Sequence, residues 1–234
     1  KLKVDITIED KKACPCYIGT VIENVSVVSA PEEIKKRLKS LGARGINNIV
    51  DITNFCLMET GQPLHAFDYD KLIGGKIVVR RARKGETIVT IDEIERTLDE
   101  NILVIADGGR PVAIAGVMGG KNTEVMGSTK NILLESAYFD PILIRRAARQ
   151  LGLSSDSSYR FERGVDYFGV EKGAQRAIAL ILEHARGQIT KRTKISHVKE
   201  KPPVKIKISQ AEIAAYLGGR QDHPKAPQAL RDGR

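Results

Sequence analysis

The sequence predicts an α+β fold, a central antiparallel or mixed sheet with helices packed around it. Short apolar runs punctuated by turn residues follow one another from Lys76 to Glu135. Stretches with helical apolar spacing stand before and after that block. The regular strand–helix alternation of a doubly wound sheet is absent.

Taken in order, Tyr17-Ile18-Gly19-Thr20-Val21-Ile22 reads as a strand and residues 25–28 as strand-like. A helix follows. Pro31 suits its first turn, Glu32 and Glu33 its positive end, Ile34, Leu38 and Leu41 form one stripe, and Gly42 closes it. A second helix begins after Asn47 or Asn48, runs through Ile49, Val50, Thr53 and Leu57, and stops at Gly61 before Pro63. Its Thr53 and Asn54 are polar in an apolar context. Residues 77–79, 87–91, 102–106, 112–117 and 132–134 read as short strands, with a turn at Asp107-Gly108-Gly109-Arg110-Pro111. Gly116, Gly119 and Gly120 break the strand pattern where backbone must approach something closely. Helices return over residues 141–151 and 169–185, and residues 188–198 are strand-like. After Pro202-Pro203, residues 204–208 open a new strand-helix unit, whose Ser209 and Glu212 form a capping box on a helix ending at Gly218-Gly219. Residues 220–234 lack periodicity and read as a disordered tail. The domain plan is thus 1–200, 201–219 and 220–234.

Composition bounds the function. With 234 residues, 41% hydrophobic and 29% charged, the chain can bury a core. No apolar run approaches the roughly 20 residues of a membrane span, and Lys1-Leu2-Lys3-Val4-Asp5 lacks signal-peptide order, so a cytoplasmic protein is expected. Cys14, Cys16 and Cys56 are too few for a disulfide scaffold. His65, His184, His197 and His223 fall at no ligand spacing, so reduced thiols and no metal are expected. The net charge is +9, yet residues 186–207 hold eight Lys or Arg against one Glu, leaving +2 for the rest. That pattern fits a solvated sheet edge at least as well as an RNA contact.

Nucleophile elbows, zinc-protease helices and phosphate loops are missing from the sequence, so ATP chemistry is not encoded here. Five patches rich in polar residues or glycine remain: Arg44 with Asn47, Asn48, Thr53 and Asn54; residues 62–68, with His65; residues 115–120; Glu135 at the end of an apolar strand; and residues 154–164. Each has a plain structural reading. His65 fits a turn beside Pro63, Glu135 could pair with Arg44 or Arg145, and Arg160, Glu162 and Arg163 could form an ion-pair network.

Four of these stretches nevertheless stand together in a known order. Gly45-Ile46-Asn47-Asn48-Ile49-Val50-Asp51-Ile52-Thr53-Asn54, Gln62-Pro63-Leu64-His65-Ala66-Phe67-Asp68, Ala115-Gly116-Val117-Met118-Gly119-Gly120 and Arg160-Phe161-Glu162-Arg163-Gly164-Val165-Asp166 resemble the B3/B4 region of bacterial phenylalanyl-tRNA synthetase beta subunits. The stretch from Pro202 to Gly219 is similar to the opening of the B5 domain that follows in the family.

The resemblance implies an editing module that hydrolyses tyrosyl-tRNA(Phe) made in error. A second pocket built to hydrogen-bond the tyrosine hydroxyl rejects phenylalanine strongly, because its buried polar groups would otherwise go unpaired. By resemblance, Glu135 accepts from that hydroxyl, the Gly116 N–H donates to it, and Ala115 stands beside them. Thr53, Asn54 and His65 line the end near the ester, with His65 orienting, and Arg44 steadies the tRNA end or the pocket wall. Ser155 and Ser157 stand where the family usually carries Thr and Ala. The resemblance also implies an alpha subunit partner in an alpha2beta2 heterotetramer, with ATP and magnesium used by the full enzyme and no cofactor in this fragment. The competing reading is a non-catalytic scaffold that binds tRNA or docks the alpha subunit.

Overall fold

The computed structural model describes residues 2–198 and 205–218. The chain divides into two units, Lys1–Val198 and Lys199–Arg234. The first unit begins with β1 (Asp5–Ile8), β2 (Cys16–Glu23), α1 (Glu32–Ser40), α2 (Asn48–Thr60) and β3 (Leu64–Asp68). Next come β4 (Lys76–Arg81), β5 (Thr87–Val89), β6 (Glu95–Thr97), β7 (Leu103–Ala106), β8 (Pro111–Ile114) and β9 (Met118–Gly119). It closes with β10 (Ile132–Tyr138), α3 (Pro141–Gln150), α4 (Asp156–Phe161), α5 (Gly169–Ala185) and β11 (Gln188–Ser196).

The α+β class holds, and the strands are shared between two principal sheets. One has the order β1-β4-β7-β8-β9 and is mixed, its β1–β4 pair running parallel. The other, β11-β2-β10-β3, is antiparallel throughout, and β5 with β6 makes a separate ribbon. Side chains alternate across each strand, so β10 sends Leu133, Glu135 and Ala137 one way and Ile132, Leu134 and Ser136 the other. The first set packs with Tyr17, Val21 and Phe67 against Ile77, Val79 and Ile105 of the mixed sheet. Ile132 and Leu134 of the second set pack against Ile49, Ile52 and Cys56 of α2 and Ala177 and Ile181 of α5. The antiparallel sheet is therefore covered on both faces, which is why β2 is buried along nearly its whole length.

Helix punctuation works as expected. The Asn47 side chain accepts from the Val50 N–H at 3.0 Å, and Gly61 closes α2 at φ +73° with its N–H on the Leu57 carbonyl. In α1, Ile34 and Leu38 are buried, but Leu41 is the capping residue and stands 60% exposed, outside the stripe.

Three local expectations are corrected. Residues 25–28 form no strand. Their main chain is tied by the buried Asn48 side chain, which accepts from the Val28 N–H and donates to the Ser26 carbonyl, and so takes the place of a neighbouring strand. Residues 64–68, read in sequence only as a motif, form β3 and pair with β10. In the second unit α6 (Gln210–Tyr216) carries the expected Ser209/Glu212 capping box. Residues 205–208 form no strand there, since no partner strand exists among the described residues of that unit. Pro202, Pro203 and the expected tail at 220–234 lie outside the described residues.

Candidate functional site

A cleft of about 300 Å³ opens where α2, β3, β10, the turn after β8 and the start of α4 converge. Helical spacing puts Val50, Thr53 and Asn54 of α2 on its wall, while His65 and Glu135 come from neighbouring strands. Gly116, Ser155 and Ser157 also line it. Seven of the nine residues singled out in sequence thus meet in one place. Arg44 is exposed in the loop before α2 and Ala115 is buried, and neither lines the cleft. Arg44 therefore forms no part of the cleft wall.

Glu135 is the chemical centre. It stands opposite His65 on β3 and Gly19 on β2, on the face turned to the mixed sheet. Only 7% exposed, it makes no bond to Arg44 or Arg145; its Oε2 accepts from the Tyr17 hydroxyl at 2.7 Å. Tyr17 lies two residues from Gly19 along β2, on the same face, and is fully buried. Gly19 is glycine because Ile6 packs there: a Cβ would stand 2.6 Å from Ile6 Cδ1.

Burial pushes the Glu135 carboxyl up from 4.5 to about 7, while the Tyr17 hydrogen bond pulls the other way. A folded pKa above the unfolded one gives stability that is full below about pH 4.5 and is lost as pH rises through about 7. The gap corresponds to about 3 kcal/mol of pH-dependent stability at this one group. Against a Glu135→Gln variant, wild-type stability should therefore decline by about that amount from pH 4.5 to 8.5. Denaturant titrations across this range check it, and a constant difference would mean that Glu135 titrates normally.

The His65 ring meets Phe67 edge-on at 4.5 Å and lies against Gly119, where a Cβ would stand 2.6 Å from its Cε1. That close approach accounts for Gly119. Burial pushes the His65 pKa down to about 4, so the imidazole is neutral at pH 7 and offers one donor and one acceptor nitrogen. On α2 the Thr53 hydroxyl already donates to the Val50 carbonyl at 2.8 Å, which leaves its lone pairs as acceptors. Asn54, half-buried beside it, is the amide donor of this wall.

Gly116 is glycine for a reason other than ligand approach. It sits at φ +66°, and a Cβ would point into the core at 3.0–3.1 Å from Phe161, Ile144 and Phe139. Among the described residues its N–H donates to no protein acceptor, so it remains free to bond a ligand. Ser155 caps α4: its hydroxyl donates to the Val117 carbonyl at 2.7 Å and accepts from the Ser158 N–H. A threonine would cap the same way, so serine at this position keeps the corner intact. Ser157 is half-buried on the wall. In the expected ion-pair network Arg163 does meet Glu162, but Arg160 pairs with Asp156 and reaches Met58 Sδ instead.

Residues 13–186 match the family model of the B3/4 domain, and all four motifs quoted above fall inside that span. The chain belongs to the B3/4 domain family. This B3/4 domain is 49% identical over 225 residues to the phenylalanine–tRNA ligase beta subunit of Aquifex aeolicus, covering 96% of this chain and 29% of that one. It is 44% identical over 227 residues to the beta subunit of Carboxydothermus hydrogenoformans, covering 97% and 28%. The chain thus spans less than a third of the length of these relatives. The crystal structure of an N-terminal fragment of the phenylalanyl-tRNA synthetase beta subunit from Pyrococcus horikoshii matches with a TM-score of 0.54 over 93% of this chain and 60% of that one. At 14% identity that likeness is one of fold, and it agrees with the α+β class.

Sequence reasoning missed Tyr17, which holds Glu135 from behind the cleft wall of this B3/4 domain. Its signal was present but faint: a tyrosine two positions before a glycine in a strand apolar on both faces. Only the β2–β10 register, joining residues 118 apart, makes it a partner of Glu135.

Proposed function

We propose that this chain is the B3/4 region of a phenylalanine–tRNA ligase beta subunit and that its cleft hydrolyses tyrosine wrongly attached to tRNA(Phe). The observation that carries the reading is a buried carboxylate, Glu135, on the wall of a cleft that also holds the free Gly116 N–H. A phenol can donate to one and accept from the other. Phenylalanine offers neither bond and would leave both groups unpaired, the condition for strong rejection.

At the other end of the amino acid, water adds to the ester carbonyl carbon. The bond to the ribose oxygen then breaks, releasing tyrosine and a tRNA hydroxyl. An aminoacyl ester is already activated, so positioning suffices. Neutral His65 accepts a hydrogen bond from that water and Thr53 offers lone pairs, while the Asn54 amide polarises the carbonyl. With a pKa near 4, His65 orients the water and is too weak a base to carry its proton away fully. The whole enzyme is then an aminoacyl-tRNA synthetase that pairs this beta subunit with an alpha subunit in an alpha2beta2 assembly in the cytoplasm. ATP and magnesium act there, and this region needs no cofactor.

Release of labelled tyrosine from tyrosyl-tRNA(Phe), with phenylalanyl-tRNA(Phe) as control, tests the reading. Ser157→Trp should block the cleft: hydrolysis is expected to fall at least tenfold with the thermal midpoint unchanged, because the indole would project from the wall into a cleft of about 300 Å³. Full activity in that variant would remove Ser157 from the site. The basic stretch favours the second reading, a tRNA or subunit scaffold, but in β11 Arg192 and Lys194 both pair with Glu171. Salt-sensitive RNA binding without hydrolysis, indifferent to Glu135→Ala, would be its signature.

A further inference from the structure

The Thr53 and Ser155 hydroxyls of the cleft end their hydrogen bonds on backbone carbonyls. Glu135 ends on another side chain, and that side chain reaches no ligand. The Tyr17 hydroxyl is fully buried behind the carboxyl, and its bond to Oε2 is the one hydrogen bond the structure gives that hydroxyl. The ring is held by the strand register and by its full burial in the core with Leu133 and Phe67. A buried tyrosine hydroxyl left without an acceptor is unfavourable, so this bond persists whether or not a ligand is present.

We propose that Tyr17 is a positioning residue for the cleft: by engaging Oε2 of Glu135 it fixes the carboxyl and leaves Oε1 as the oxygen offered to a phenol. The proposal rests on the editing reading and deepens it by naming what sets the polarity of the specificity group. With Oε2 accepting from Tyr17, an ionised Glu135 presents a pure acceptor. The ligand phenol then donates to Oε1 and accepts from the Gly116 N–H. A protonated Glu135 favours its proton on Oε1, because the unprotonated oxygen is the better acceptor for the Tyr17 hydroxyl. The phenol oxygen would then face two donors, Oε1–H and Gly116 N–H, with its own proton unplaced. Selection of tyrosine over phenylalanine is therefore strongest in the ionised form, and Tyr17 favours that form by donating to it. The titratable groups around the carboxyl are Tyr17 on β2, His65 on β3 and Cys14 before β2, with Glu124 and, on α4, Asp156 lining the same cleft. Burial, with Glu135 nearby, holds the Cys14 thiol well above its usual range, and His65 is neutral, so Glu135 is the group that changes charge near pH 7.

The experiment is a titration of the chain with tyrosine and with phenylalanine, followed by amide NMR at pH values from 5.5 to 9, in wild type and Tyr17→Phe. Wild type should prefer tyrosine more strongly as pH rises through about 7. In Tyr17→Phe the preference at pH 7 should fall about three- to tenfold, less than the loss of a direct hydrogen bond to a charged group because Tyr17 acts through Glu135, and its midpoint should move to higher pH. Loss of packing alone would not move that midpoint. A second measurement keeps the backbone untouched: incorporation of 3,5-difluorotyrosine, whose more acidic phenol is a stronger donor, should move the midpoint to lower pH. A Tyr17→Phe variant or fluorinated chain that keeps both the preference and the midpoint of wild type overturns the role of Tyr17 and leaves the editing reading standing. A wild type that does not separate the two amino acids at any pH overturns both.

Discussion

Glu135→Gln should lower the preference of the cleft for tyrosine over phenylalanine by about one to two orders of magnitude, the range set by a hydrogen bond to a charged group. The substitution is nearly isosteric, so packing against Leu133 and Ala137 is kept. Its effect follows from the Tyr17 hydroxyl, which still needs an acceptor and takes the single amide oxygen. The amide NH2 is then turned toward the cleft. A tyrosine hydroxyl meets that NH2 and the Gly116 N–H, two donors where it needs one donor and one acceptor. Phenylalanine binding should change little, because its ring makes no polar contact. Amide NMR titrations with the two amino acids at pH 8, where wild-type Glu135 is mostly ionised, measure the ratio directly. An unchanged ratio would mean that the hydroxyl is read elsewhere in the cleft.

Gly116→Ala should destabilise the first unit by about 2–4 kcal/mol, the sum of a left-handed backbone penalty and overpacking of the core. At φ +66° any Cβ is strained, and here it would also press on Phe161, Ile144 and Phe139 at 3.0–3.1 Å. Phe139 and Phe161 already pack edge to face with ring centroids 5.1 Å apart, so neither ring can retreat without giving up the other. The same turn carries the Val117 carbonyl to Ser155, so the start of α4 and the Ser157 wall would shift with it. Urea denaturation monitored by circular dichroism reads the change as a lower midpoint at constant slope. A loss below about 1 kcal/mol would mean that the turn relaxes freely and that glycine is not required there.

Much of this was legible in the sequence because it is local. Asn47 and Gly61 bound α2, Ser209 and Glu212 start α6, and the glycine run marks a turn; each signal acts within a few residues. The spacing of Thr53 and Asn54 on one helix face was local in the same way. The expected strand at residues 25–28 went wrong for the complementary reason. Apolar residues suited a strand, but the bonds of that backbone go to Asn48, Lys130 and Ala185, none of them in a partner strand. Likewise β3 is short and carries a histidine, so its pairing with β10 gave no local sign.

From its residues alone the chain determined its class, the ends of α2, its B3/4 membership and nine candidate site residues, of which seven come together in the cleft. Tertiary structure decided the division of the strands between two sheets, the removal of Arg44 and Ala115 from the cleft wall, and the partner of Glu135. Those depend on strand register, which is set by burying both faces of the antiparallel sheet at once and is written in no single segment. The same register lays Tyr17 behind Glu135, and so turns an apparent partner for an arginine into a carboxyl held by a phenol.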